Sequence, residues 1–265
     1  MPPIDEATLL DEVLRAPERA LVPLPDTQRL ERPGWFQLTT PSLTRGGLNE
    51  VAHAVLDAAE ADAVIDRTIA HYRGLGLHFR WSVTPGSAPA DLAERLRARG
   101  LVESWTCGMA RDTTPLVARP RPEHASAEDP VEVHEVGAAL VDELTAVMAE
   151  GWGVDAAALA PLQRRILGAH AQGQRLYLAR RHGRGAGTAG AALLERSVYL
   201  IGGVVLPQHR QRGVYSALVD ARLAAARAHG LALATVQARA DSAAPLLEHL
   251  GFRTVCRFPM YYLRD

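Results

Sequence analysis

Two stretches of the chain carry the same order of helix, glycine, strand, helix and strand at nearly the same spacing. The first comprises a helix over Val64–Leu75, Gly76, a strand over Leu77–Val83, a helix over Asp91–Arg99 and a strand over Val102–Ala110. The second comprises a helix over Leu218–His229, Gly230, a strand over Leu231–Gln237, a helix over Pro245–His249 and a strand over Thr254–Leu263. In its first helix Tyr215, Val219, Leu223 and Ala226 recur on one face, His229 sits in the last turn, and Gly230 stops the helix. Overlaid without gaps, Asp66 falls on Asp220, Arg73 on Arg227 and Gly76 on Gly230. After a longer loop in the first copy, Leu96 meets Leu247, Gly100 meets Gly251 and Met109 meets Met260. Helix–glycine–strand is common by itself, but three elements in matched spacing predict a diverged duplication of one α/β piece.

Between the copies, Arg119 to Pro130 is polar, rich in proline and without periodicity, which predicts a linker. The expected organisation is therefore an N-terminal domain over 1–118, a linker over 119–130 and a C-terminal domain over 131–265. Net charge is −1, and all 29 basic residues are arginine, scattered among 30 acidic ones. That balance offers no basic field for nucleic acid or an anionic membrane. Cys107 and Cys256 are too few and too isolated to predict a disulfide framework or a metal site. The acidic start lacks the positive region of a signal peptide, and no apolar run approaches membrane-spanning length, so a soluble cytoplasmic protein is expected.

The chemistry gathers at Val204-Val-Leu-Pro-Gln-His-Arg-Gln-Arg-Gly-Val-Tyr-Ser216. An apolar strand ends at Pro207, which has no N–H to donate, and a helix begins just after Gly213. A helix N-terminus leaves backbone N–H groups unpaired, and with the helix dipole they form an anion site. Gly213 lets a bulky anion approach the backbone, and Arg210 and Arg212 could bind phosphate oxygens. Strand, turn and helix together predict a pyrophosphate cradle. The overlay puts Leu56, Ala58 and Ala59 where Arg210, Arg212 and Gly213 stand, so one cradle is expected, not two. A second glycine pattern, Gly185-Ala-Gly187-Thr-Ala-Gly190, matches a dinucleotide fingerprint but lacks the helix and the acidic residue that motif needs. It is read as a hairpin turn.

The stretch from Leu206 to Leu218 resembles the acyl-CoA-binding motif of the GNAT superfamily of N-acyltransferases, whose pattern is Arg or Gln, two residues, Gly, one residue, then Gly or Ala. Arg210 and Gly213 fit, while Tyr215 stands where a small residue is usual, so its ring must turn away from the phosphates. The resemblance covers about 131–265 and extends to Gly251-Phe252. It implies an α/β fold of tandem GNAT-like type, with a central mixed, mostly antiparallel sheet flanked by helices and a splayed parallel strand pair at the CoA site. The strands expected before the motif are Arg175–Arg181, Gly190–Glu195 and Ser197–Leu206.

The resemblance also implies acyl transfer from acetyl-CoA, or another acyl-CoA, to a primary amine of a small molecule or peptide, by direct attack and without a metal. Cofactor-binding candidates are Val204, Val205, Leu206, Arg210, Gln211, Arg212, Gly213, Val214, Tyr215 and Ser216, with Asp241 and Ser242 either near the pantetheine arm or capping the next helix. Val204 to Leu206 would supply the N–H facing the oxyanion. The position that often carries the family's tyrosine acid is Leu247, so Tyr199 is the candidate acid and Glu195 the candidate base, with Tyr261, Tyr262 and Cys256 weaker. Glu150 and Trp152 are substrate candidates, Trp152 being either a lid or a core aromatic. The expected partner is an amine acceptor and the expected assembly a monomer or homodimer. A GNAT-fold decarboxylase or hydrolase, or a non-catalytic CoA-binding protein, is the alternative.

Overall fold

The computed structural model describes residues 4–32, 34–45, 48–115 and 130–263. They form two compact units, each drawing on both halves of the chain. The site unit comprises the segment up to Val22, Met109–Gln237 and Leu246–Arg253; the companion unit comprises Pro23–Gly108, Ala238–Pro245 and the segment from Thr254 on. Of the linker read at 119–130, all but Pro130 lies outside the described residues.

The site unit opens with helix α1 (Glu6–Arg19), begun by the Asp5 carboxylate, which accepts from the Thr8 N–H at 2.9 Å. Strand β6 (Glu132–Glu135) leads to helices α4 (Val141–Trp152) and α5 (Ala156–Gly168). Strands β7 (Gln174–Arg181), β8 (Arg184–Leu193) and β9 (Ser197–Val205) follow as an antiparallel meander, then helix α6 (Val214–Ala228) and strand β10 (Leu233–Arg239). Strand order is β10-β9-β8-β7-β6, with β10 parallel to β9. One core joins α4 and α5 to β7 through Leu144, Val147, Met148, Leu159, Leu176 and Leu178. Each fully buried leucine there contributes roughly 1.5–3 kcal/mol.

The companion unit contains strands β1 (Gln28–Arg32), β2 (Trp35–Thr39), β3 (Glu50–Ala52) and β4 (Phe79–Ser82). Helices α2 (Ala61–Gly74) and α3 (Leu92–Ala98) accompany them. Strand β5 (Val102–Asp112) starts here and ends in the site unit. Strand β3 pairs with β4 in parallel. The unit is closed by β11 (Arg253–Leu263), which pairs antiparallel with β4 from Met260↔Ser82 to Leu263↔Phe79. The final strand of the second half thus completes a sheet made mostly by the first. Tyr261 and Leu263 are buried there with Trp81, Phe79 and Leu96. In exchange, the chain after β5 binds the start of β10, the Thr113 N–H donating to Ala232 O at 3.0 Å.

The duplication is visible in the elements. Shifted by the 154 positions that carry Asp66 onto Asp220, α2 covers 215–228, where α6 spans Val214–Ala228. With the three-residue longer loop removed, α3 falls on helix α7 (Ala243–His249) and β5 on β11.

Three readings of the sequence require correction. The glycines at 185, 187 and 190 lie inside β8, and the turn before it is His182-Gly183, both at positive φ. At two of them neighbours press on the strand: a Cβ on Gly185 would run into Val147 Cγ2, and one on Gly187 would lie 2.7 Å from Val204 O. Accordingly β8 begins at Arg184, six residues before the expected start. Last, α1 belongs to the site unit, not to a separate N-terminal domain. Its Ala16 and Ala20 pack on Tyr199 and Ala192, Glu12 accepts from Ser197 Oγ at 2.9 Å, and Gln237 Nε2 donates to Val13 O at 3.1 Å. Small residues four apart let α1 lie close to β9.

Ala16 is fully buried in that contact. Ala16→Leu is therefore expected to destabilise the protein by about 1–3 kcal/mol, since the added carbons have no space to fill. Urea unfolding checks this; a change under about 0.5 kcal/mol would place α1 off the sheet.

Candidate active site

The site starts from a fault in the sheet. Strands β9 and β10 pair in parallel from Ser197↔Leu233 to Leu200↔Val236, and the register stops there although both strands continue. At the same level the β8–β9 ladder slips: Gly190 pairs with Ile201, but Thr188 pairs with Val204. Gly202 and Gly203 together oppose Ala189, a β-bulge that bends β9 away. Gly202 has φ +49, and both glycines are exposed.

Both faces of the bulge carry an aromatic ring. A Cβ on Gly202 would lie 3.3 Å from the Trp152 ring at the end of α4, and one on Gly203 would lie 3.1 Å from the Tyr215 ring on α6. Trp152 is itself 45% exposed, so it covers the bulge and is not a core aromatic. Gly151 lets α4 come this close, since a Cβ there would stand 2.5 Å from Val204 Cγ2. Along the Trp152 face, α1 covers Tyr199 and Ile201 and the end of α4 covers Gly202 and Val204.

Beyond the bulge, Leu206 remains tied to the sheet, its N–H donating to Ala186 O at 3.0 Å. A 3₁₀ turn at Pro207–His209 follows. Arg210 is extended, Gln211 is left-handed at φ +58, and Gly213 is left-handed at φ +78. A left-handed glutamine costs about 1 kcal/mol, held here by the surrounding turn. Gly213 begins α6 with no side-chain cap, so the first-turn N–H groups keep their outward donors and the positive end of the dipole. Arg210, Gln211 and Arg212 are exposed, and Arg210 Nε donates to Val205 O at 3.4 Å, which fixes its guanidinium at the base of the turn. The Tyr215 ring lies against Gly203.

Histidine 209 stands beside this turn. Burial first, then Arg181, His182 and Arg184, hold its imidazole below the usual range, and Arg181 Nη1 is 3.4 Å from its Nδ1. Neutral His209 can accept from that guanidinium, whereas the imidazolium cannot.

The turn residues 204–206 and 210–216 thus come together at one end of β9, with Trp152 over the bulge. Glu150 joins them through Gln208 Nε2, 3.4 Å from its Oε1. The other candidates fall elsewhere. Glu195 is exposed in the β8–β9 turn, before the opposite end of β9, roughly 25 Å of strand away from Leu206. Tyr199 is buried beneath α1. Asp241 and Ser242 precede α7 in the companion segment 238–245; Arg239 and then Ser242 hold the Asp241 carboxyl below its usual range, with Arg239 Nη2 at 2.8 Å. Leu247 is fully buried packing. Tyr261 donates to Glu103 at 2.6 Å in the companion core, Tyr262 Oη lies 3.6 Å from Met260 Sδ, and burial pushes the half-buried Cys256 thiol up. Missed from sequence were the Gly202-Gly203 bulge, the α1 contact through Gln237, and Arg222 under the bulge. The paired glycines inside an apolar strand were the available signal.

In the companion unit the corresponding turn is closed. Leu56 packs on the core, and the Asp57 carboxylate accepts from the Ala59 N–H at 2.8 Å. An anion would meet a carboxylate there.

Residues 137–252 match the profile of the Acetyltransferase (GNAT) family, and this part of the chain is a GNAT acetyltransferase domain. The fold is shared with solved structures at low identity. A GCN5-related N-acetyltransferase from Kribbella flavida is 17% identical with a TM-score of 0.60, over 98% of this chain and 93% of that one. A functionally unknown conserved protein from Staphylococcus epidermidis is 12% identical with a TM-score of 0.65, over 91% and 95%. A tandem GNAT protein from the clavulanic acid biosynthesis pathway is 16% identical with a TM-score of 0.53, over 98% and 95%. No curated protein matches the chain. No helix among the described residues is long and apolar enough to cross a membrane.

The His209 environment has a pH consequence. Its folded pKa lies below the unfolded value near 6.5, so its contribution to stability is present above about pH 6.5 and is lost as pH falls through the folded pKa. His209→Gln removes that dependence. The variant's urea midpoint is expected to rise relative to wild type between pH 7 and pH 5; a constant difference would place His209 in solvent.

Proposed function

We propose that the site unit is an acyl-CoA-dependent N-acyltransferase that moves acetyl from acetyl-CoA to a primary amine of a small molecule or peptide. The observation that carries this reading is the uncapped N-terminus of α6, framed by Arg210 and Arg212, at the foot of a strand that parts from its parallel neighbour. The N–H groups of Gly213 to Ser216 suit a pyrophosphate, and the two guanidinium groups match its charge. The stretch of β9 past Leu200, no longer paired to β10, has polar backbone free for the pantetheine amides. At the bulge the backbone from Gly202 to Val204, exposed at its two glycines, is the donor surface for an acyl oxygen that gains charge in the tetrahedral intermediate.

The amine enters on the Trp152 face, between α1 and the end of α4. An alkylammonium of pKa near ~10 suits an aromatic face with a carboxylate beside it, the arrangement of Trp152 and Glu150. Attack needs the free amine, and the exposed Glu150 carboxylate can take its proton through water. With Leu247 in the usual tyrosine position, the thiolate leaves unassisted; a thiol pKa near ~8.5 makes it a competent leaving group. The companion unit, with its turn closed by Asp57, contributes no second acyl site.

Thermal unfolding with and without acetyl-CoA tests this. At about 100 times its dissociation constant the ligand should stabilise wild type by roughly 2.7 kcal/mol, and Arg210→Ala with Arg212→Ala should abolish most of the shift. No shift in wild type at saturating acetyl-CoA overturns the reading. A shift without acetylated product across primary amines would leave a CoA-binding protein or a hydrolase in its place.

A further inference from the structure

Under the bulge lies a side chain that the reaction as described does not use. Arg222 is on the sheet-facing side of α6, among Leu218, Val219, Leu223 and Ala226, and is 2% exposed. Its Nε donates to Leu218 O at 2.9 Å and its Nη1 to Gly190 O at 3.3 Å. No carboxylate among the described residues pairs with it. Its neighbours are two phenols, Tyr215 and Tyr177, and the buried Tyr177 hydroxyl has no hydrogen-bond partner among the described residues. Burial pulls the guanidinium pKa down to about 10. Leucine or methionine would fill the same space without desolvating a cation, so packing does not explain the arginine.

Its contacts converge on one place. Gly190 is the β8 residue at which the register slips, and Tyr177 pairs with Ala189, the residue opposite Gly202-Gly203. Arg222 Nη2 would lie 3.9 Å from a Cβ on Gly203, beside the Tyr215 ring. The guanidinium therefore sits directly behind the two glycines, on the face opposite Trp152.

We propose that Arg222 is a positioning residue for acyl transfer: it pins the β8–β9 bulge through the Gly190 carbonyl and sets positive charge behind the amides of Gly202 to Val204. The inference rests on the acyltransferase reading, because those amides are the donors offered to the acyl oxygen. Fixed dipoles backed by a buried cation act most strongly where water is excluded, and they act on the charge that develops during transfer, not on CoA binding.

The test compares wild type, Arg222→Met and Arg222→Lys in three measurements. These are thermal unfolding, CoA release from acetyl-CoA with putrescine, tyramine and glucosamine as acceptor probes, and amide hydrogen exchange across 200–206. The expected result is that Arg222→Met melts at or above wild type, keeps KM for acetyl-CoA within about threefold, and loses kcat by roughly tenfold or more. Arg222→Lys should recover part of kcat, and exchange at Gly202–Val204 should quicken in the methionine variant. A methionine variant with kcat within about twofold of wild type, or with unchanged exchange at the bulge, overturns the proposal. A wild type that binds acetyl-CoA but acetylates none of the probes counts against the acyltransferase reading, while exchange at the bulge still decides whether Arg222 holds it.

Discussion

Strand β9 cannot stay bonded to both neighbours along its whole length, and the site depends on that. With β8 it gains one residue at Gly202-Gly203; from β10 it separates after Leu200. A regular strand would have kept its N–H and C=O groups in two ladders and offered none to a ligand. The bulge exposes backbone in mid-sheet, and the surroundings keep it in place. Trp152 lies over one glycine, Tyr215 and Arg222 lie under the other, and Gly151 lets α4 reach the strand. Farther on, Gly213 starts α6 without a side-chain cap, so the first-turn N–H groups of that helix keep their outward donors.

The duplication shows what the fold requires and what the chemistry adds. Both copies keep the helix, the parallel strand, the short helix and the long final strand, because these bury the apolar side chains of each unit. Only the second keeps a glycine and two arginines at the helix start. In the first copy Leu56 packs against the core and the Asp57 carboxylate accepts from the Ala59 N–H, so the same backbone route is taken up by the chain's own contacts. The final strand β11 pairs with β4 and buries Tyr261 and Leu263 among companion residues.

Sequence made the turn at 206–216 readable because its signals are local. Proline ends a strand, glycine starts a helix, and arginines flank both. The repeat was readable for the same reason, as spacing survives divergence. Glu195 reads from sequence as the last residue of a strand over Gly190–Glu195, but β8 ends at Leu193, and a strand end cannot be told from a turn by composition. Tyr199 has a strand position that suits chemistry, but α1 lies over it, and nothing in the local sequence announces a helix arriving from 180 residues away. The glycines of β8 looked like a turn because close helix packing and tight turning call for the same residue.

What the sequence by itself determined is therefore the class of fold, the duplicated element order and the strand–turn–helix with its glycine and two arginines, all set by interactions among residues near in the chain. Tertiary structure decided which strand completes which sheet, that α1 joins the site unit, and that Trp152, Gly202, Gly203, Tyr215 and Arg222 meet at one bulge. Those outcomes depend on which apolar faces find each other and on where a ladder slips by one residue. Both are set by packing between segments far apart in sequence, which no local pattern records.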